Sequence, residues 1–211
     1  MILSVWRPIS RARSASFVPG GLRGYEGGTG PGFDAVAAKK LLAEAGYPDG
    51  KGFPRVELLY NTSDLHRVIT QAVQQMWKEH LGIHVDLVNV EWKVYLARQA
   101  SLDYQIARAG WIGDYADPNT FLELWVTSGG NNQTSWSSKR YEDLIGRAAC
   151  KLVNAKDRMR ALQEAERLLL EEAPMLPLFT YVNKGMLSRR VKGWYPNILD
   201  LHPLKAISLA R

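Results

Sequence analysis

The sequence predicts an α/β protein with a mixed, mostly parallel sheet flanked by helices, and three observations carry that expectation. Segments of strand and helix character alternate from Arg55 to Ala109, the order expected of crossover units on a parallel sheet. Within that run, Asp64 to Leu81 repeats apolar residues at helical spacing, whereas Arg55 to Tyr60 and His84 to Val90 are short and apolar. Of the 211 residues 46% are hydrophobic, enough for a real core, and the length fits a single body of ~150 residues with attached segments.

Taken in order, residues 1–32 read as an irregular connector laid over a surface, since seven glycines from Gly20 to Gly32, with Pro19 and Pro31, forbid a continuous element. A phosphate-cradling loop would need Gly-Lys-Ser/Thr leading into a helix, and none is present. A helix capped by Asp34 follows, expected to bury Val36, Leu41, Leu42 and Ala45 and to stop at Gly46. The strand Arg55 to Tyr60 leads to the helix Asp64 to Leu81, with Leu65, Val68, Ile69, Ala72, Val73, Met76, Trp77 and Leu81 on one face and Gly82 at its end. A strand from His84 to Val90 and a short helix from Trp92 to Gln99 precede a strand from Ile106 to Ala109. Further helices are expected over Asp117 to Trp125, Tyr141 to Lys151 and Asn154 to Glu172, the last with Met159, Leu162, Ala165 and Leu169 inward and Pro174 as its stop. Met175 to Val182 reads as a strand able to pair with Gly185 to Val191, and Trp194 to Arg211 as irregular with an extended piece near Ala206 to Leu209. The expected organisation is a connector at 1–32, an α/β lobe at 33–181 and a C-terminal segment at 182–211.

Composition narrows the function. The formal charge of +6 is spread along the chain; only Arg7, Arg11, Arg13 and the pair Arg189-Arg190 approach a cluster, and no aromatic-basic alternation accompanies them, which argues against nucleic acid as a partner. A single cysteine, Cys150, rules out an internal disulfide framework and a cysteine metal cluster. No stretch approaches the ~20 apolar residues of a membrane span. Met1 to Trp6 is too brief for a signal-peptide core and its arginines follow it, so the chain either stays in the cytoplasm or is a piece of something longer. Hydrolase motifs are missing, His80 and His84 straddle a helix end without a third ligand, and the doublet Glu171-Glu172 reads as a solvated helix turn. The expectation is a binding protein without catalysis, cofactor or metal.

Site-like chemistry concentrates in IARAGWIGDYADPNTFLELW, Ile106 to Trp125. An apolar strand, a cation at Arg108, bare backbone at Gly110, an indole at Trp111 and an acid at Asp114 fall within nine residues, at the place where α/β proteins expose side chains beyond a strand end. The same residues also fit a buried aromatic turn in which Trp111 is core and Asp114 caps the next helix. His66 equally fits a helical surface residue, Trp92 a core residue, and Arg108 an ion-pair partner of Asp103 or Asp114.

The run LLYNTSDLHRVITQAVQQMWKEHLGIHVDLVNVEWKVYL, with ARAGWIGDYADPNTFLE and NNQTSW, resembles the oligopeptide-binding proteins of ABC importers, in the extracytoplasmic solute-receptor family for peptides and nickel. The likeness runs from about Val18 to the C-terminus and covers only the C-terminal lobe of such receptors. It implies a periplasmic or extracytoplasmic location, an oligopeptide ligand, an ABC permease of the inner membrane as partner, and an N-terminal lobe missing from this sequence. A receptor for peptides of many sequences must hold what all peptides share, a charged amine, a carboxylate and an extended backbone. By resemblance Asp114 anchors the α-amino group, and Gly110 and Ile112 offer backbone to the peptide as an added strand. Arg108 and His66 match positions that meet the carboxylate, and Trp92 and Trp111 match walls of side-chain pockets. Where relatives carry a second arginine on the Trp92 helix, this chain has Gln99, with Arg98 one position earlier. The resemblance further implies that Trp194, Tyr195, Ile198 and Leu201 expose apolar surface. Other readings are a truncated remnant or interaction module without a transport role, and a same-family receptor for a dipeptide or another small solute.

Overall fold

In the computed structural model the described residues are 3–6, 15–28, 30–150, 154–181 and 185–210. In chain order their elements are β1 (Leu3–Trp6), α1 (Ala35–Glu44), β2 (Val56–Asn61), α2 (Asp64–Leu81), β3 (Val85–Val90), α3 (Trp92–Ala100) and β4 (Ile106–Ala107). There follow α4 (Asn119–Leu122), α5 (Lys139–Cys150), α6 (Ala155–Glu172), β5 (Gly185–Ser188), β6 (Val191–Lys192) and β7 (Ser208–Leu209). Two compact units result: a sheet unit, Gly32–Trp111 with Gly130–Ser135, and a helical unit, Met1–Pro31 with Ile112–Gly129 and Trp136–Arg211. The body expected at 33–181 is thus shared between both units.

The sheet unit is built on three parallel strands in the order β3-β2-β4. Its register runs from Val56 opposite Val85 to Asn61 opposite Val90, and Leu58 and Leu59 face Ile106 and Ala107. Leu58, Tyr60 and Val85 form the core, against which Val73 and Trp77 of α2 pack together with Val56, Leu87 and Ile106. Both crossovers are helical, as the alternation of short apolar runs with a helix-period stripe requires.

Helix α2 has the bounds its periodicity predicts, and it ends in the left-handed conformation at Gly82 (φ 70°), whose N–H bonds the Lys78 carbonyl. A Cβ on Gly82 would also lie 2.4 Å from the Asp49 carbonyl oxygen. Gly82→Ala is therefore expected to lower the urea midpoint of the sheet unit by an amount equivalent to roughly 2 kcal/mol, twice the usual cost of a left-handed alanine.

Several expectations need correction. Helix α1 is capped by Asp34, which accepts from the N–H groups of Val36 and Ala37, yet it buries none of its residues, and Val36 is 80% exposed. It packs against the 3-10 turn Pro48–Gly50 and along α2, so one narrow edge suffices. On α2 the half-buried seam is Ile69, Val73, Trp77 and Leu81 around the buried Thr70, while Leu65, Val68, Ala72 and Met76 are exposed, because the apolar stripe is wider than a three-stranded sheet can cover. Residues 175–181 form no strand beyond an isolated bridge at Phe179, since Pro174 and Pro177 remove donors. The partner of β5 is instead β1, antiparallel, with Leu3 opposite Ser188. Arg7, Arg11, Arg13 and Val182 lie outside the described residues.

The helical unit centres on α5 and α6, which pack against each other. Tyr141, Leu144, Ile145 and Ala148 of α5 are buried at helical spacing, as are Leu162, Ala165 and Leu169 of α6. Helix α6 is capped by the Asn154 side chain on the Asp157 N–H. The expected helix Asp117 to Trp125 appears as α4 followed by a 3-10 turn, Glu123–Trp125. Tyr141 donates to the Leu122 carbonyl at 2.6 Å and so ties α4 to α5.

Residues 15–28 are irregular but are not a surface connector. Val18, Leu22 and Tyr25 are buried, and the segment is wrapped around the carboxylate of Glu166, itself 0% exposed. Oε1 accepts from the Ser16 hydroxyl (2.7 Å) and from the Phe17 and Val18 N–H groups (2.8 Å each). Oε2 accepts from the Tyr25 hydroxyl and the Gly28 N–H, both at 2.6 Å. Five donors on one buried carboxylate supply the compensation that a charge removed from water requires. Burial first, and then the Glu166 charge, push the Tyr25 phenol far above its ordinary pKa, so it acts only as a donor. In the C-terminal segment β6 pairs with β7, Trp194 stacks on His202, and Tyr195, Ile198 and Leu201 are exposed.

Candidate functional site

In the sheet unit the predicted residues sit where the chain leaves the carboxyl ends of the strands. His66 lies in the first turn of α2 after β2, Trp92 opens α3 after β3, and Arg108, Gly110 and Trp111 follow β4. Because β3 and β4 flank β2 on opposite sides, the order reverses between β2 and β4, and open parallel sheets bind ligands at such a switch point.

The Arg108 main chain is held on both sides: its N–H donates to the Leu59 carbonyl at 2.8 Å, extending the ladder, and its carbonyl accepts from the Tyr95 hydroxyl at 2.5 Å. Tyr95 is buried, which pushes its phenol up to about 12, and its ring carries Trp92 stacked on it at 5.6 Å between centroids. Trp92 is itself 51% exposed, so it is a platform and not core. Burial first, and then the Arg108 guanidinium, hold the His66 imidazole below its ordinary pKa, against the opposing pull of the Asn61 main chain. His66 is therefore neutral at pH 7 beside a permanent cation. Gly110 is exposed, and Trp111 is half-buried.

Arg98 does not serve as a substitute for the arginine that Gln99 replaces. It bonds Asp103 at 3.0 Å through Nε and approaches Glu57 at 3.8 Å, and Gln99 is buried. Asp103, an expected partner of Arg108, is thus engaged by Arg98.

In the helical unit, Ile112 is 88% exposed and Asp114 is exposed. The Asp114 carboxylate makes no hydrogen bond or ion pair among the described residues, and it does not cap the following helix; Asp117 does, accepting from the Asn119 N–H at 2.9 Å. What fixes Asp114 is its backbone. Its N–H donates to the buried Thr120 hydroxyl at 3.0 Å, and the preceding Gly113 packs so closely that a Cβ there would lie 2.9 Å from Phe121 Cζ. The turn is then locked by a bidentate pair, Arg158 to Asp117 at 2.8 Å through both nitrogens. Burial alone would raise the Asp117 carboxyl, but the Arg158 hydrogen bonds and the Asn119 N–H overcome it and hold it below the usual carboxylate range. A rigid loop therefore presents one unpaired carboxylate to solvent.

Residues 10–133 match the bacterial extracellular solute-binding proteins, family 5. The chain belongs to that family. It is 40% identical over 156 residues to the oligopeptide-binding protein OppA of Bacillus subtilis, covering 74% of this chain and 28% of that protein. Against the periplasmic oligopeptide-binding protein OppA of Salmonella typhimurium the identity is 37%, over 81% of this chain and 30% of that one. The chain thus spans under a third of these relatives. A crystal structure of a periplasmic oligopeptide-binding protein from Borrelia burgdorferi superposes with a TM-score of 0.81 at 36% identity, over 95% of this chain and 40% of that one. The fold is that of a periplasmic-binding-protein lobe, as the alternation of strands and helices predicts.

Among family 5 features of this chain, sequence reasoning missed the supports. Tyr95 lies three residues after Trp92 on α3, a spacing that stacks the rings. Thr120 and the Asp117–Arg158 pair left no signal, because the partners are far apart in sequence.

Proposed function

We propose that this chain is the peptide-holding portion of a solute receptor serving an ABC importer, which binds oligopeptides by their main chain and charged ends and carries out no catalysis. The observation that supports this most is the Asp114 carboxylate, exposed and unpaired on a loop whose backbone is held by Thr120, Gly113 and the Asp117–Arg158 pair. An acid held still and without a cationic partner among the described residues is arranged for an external one, and a peptide α-ammonium supplies it. In the sheet unit, Arg108 and the neutral His66 take a carboxylate, Trp92 and Trp111 take side chains, and Gly110 offers main chain; in the helical unit, Ile112 offers main chain. In this reading the protein works outside the cytoplasm, with a permease and with a second lobe that closes over the peptide. No helix among the described residues is long and apolar enough to cross a membrane.

With the ammonium site open to water, the Asp114 ion pair is worth ~0 to 1 kcal/mol on this chain alone. NMR titration with tri-alanine is therefore expected to give millimolar binding that shifts the Asp114 resonances. N-acetyl-tri-alanine, lacking the ammonium, is expected to leave Asp114 unmoved, and Asp114→Asn to bind both peptides equally. Equal shifts of Asp114 by both peptides would overturn the reading, and so would no shifts at all.

A further inference from the structure

Buried side-chain polar atoms without a hydrogen-bond partner are costly, and each one in a native fold calls for a partner such as an ordered water, an ion or a ligand. In the sheet unit three such atoms occur among the described residues: Asn61 Oδ1, His66 Nδ1 and Trp111 Nε1. They are not scattered. All three belong to segments at or beyond the carboxyl ends of β2 and β4, the two strands that bracket the reversal of strand order. Asn61 is the clearest case, because it is the last residue of the central strand, only 8% exposed, and rigidly placed opposite Val90.

Asn61 has strand neighbours, yet none of them serves its carboxamide oxygen. The adjacent Thr62 hydroxyl is engaged with Asn89 and the Val90 carbonyl, both at 3.1 Å, and the Thr62 N–H donates to Val90 as well. Both donors of Thr62 are thus already committed. Trp111 presents the complementary need, an indole N–H without an acceptor. An acceptor seeking an N–H and a donor seeking a carbonyl, at one end of one sheet, match the two faces of an amide unit.

We infer that Asn61 is a specificity-determining residue whose carboxamide oxygen accepts an amide N–H of a bound peptide, while the Trp111 indole donates to a peptide carbonyl. The inference rests on the peptide reading above and deepens it: the main chain of the ligand is read by side chains at the switch point as well as by exposed backbone at Gly110. It also explains an asparagine at the end of a strand whose preceding residues, Leu58, Leu59 and Tyr60, are apolar or aromatic and buried.

Two measurements on the full chain test it. Without ligand, Asn61→Leu, which replaces the carboxamide by an apolar group of similar size, is expected to raise the thermal midpoint by about 2–5 °C, because an unsatisfied acceptor is removed. A lowered midpoint would mean that the oxygen serves the fold through an ordered water, and the inference would fall. With tri-alanine added, the Asn61 side-chain amide and the Trp111 indole signals are expected to shift with peptide concentration, and Asn61→Leu to weaken binding at least fivefold. Shifts at Asp114 with both other signals unmoved would overturn this inference and leave the peptide reading standing; no shifts anywhere would overturn both.

Discussion

Glu166→Gln is expected to destabilise the helical unit by about 2–4 kcal/mol in equilibrium urea unfolding followed by circular dichroism. The glutamine oxygen can keep the Ser16, Phe17 and Val18 donors, but its NH2 group then faces the Tyr25 hydroxyl and the Gly28 N–H. The hydroxyl can rotate to accept; the backbone N–H cannot, and is left buried without an acceptor. Glu166→Leu removes every acceptor and is expected to cost about 5 kcal/mol, close to the whole stability of a small domain. Hydrogen exchange locates the damage, since the Phe17, Val18 and Gly28 amides lose protection before the amides of α5 and α6. A Glu166→Gln variant within 0.5 kcal/mol of wild type would show that residues 15–28 are held by something other than this carboxylate.

Breaking the Arg158–Asp117 pair comes next in size. Arg158→Met removes two bonds of 2.8 Å and a third to the Ala148 carbonyl at 3.1 Å, while keeping the aliphatic stem. Both partners are about a quarter exposed, so the expected cost at pH 7 is about 1–3 kcal/mol, below that of a fully buried pair. The pH dependence has a definite sign. The folded Asp117 carboxyl is held below its unfolded value, so its contribution is fully present above the unfolded pKa, near 4, and is lost as pH falls through the lower folded pKa. Wild type and Arg158→Met should therefore differ in stability from neutral pH down to about 4 and converge under stronger acid. Curves that stay parallel to pH 2 would refute the assignment.

These two supports, one beneath residues 15–28 and the other beneath the Asp114 turn, show where sequence reasoning ends. Glu166 did leave a trace: it falls among Leu162, Ala165 and Leu169 on the inward face of α6, and a charge in that row must find donors. Nothing in the sequence says that the donors are 138 to 150 residues away. The hairpin expected of residues 175–191 failed for a related reason. Apolar strand character does not name its partner, and β5 chose β1.

The sequence by itself determined the local order: the bounds of α2, the parallel crossovers around β2, the Asp34 cap and the crowding of charged, aromatic and glycine residues from Arg108 to Asp114. Those follow from periodicity and capping, which act within a few residues and are written in adjacent letters. Only the tertiary structure decided which apolar faces are covered, which carboxylates are spent inside the fold and which is left to solvent. Asp103, Asp117 and Glu166 are engaged, and among the described residues the Asp114 carboxylate is not. That distinction rests on long-range geometry, because a carboxylate becomes structural or available according to the donors that folding brings to it.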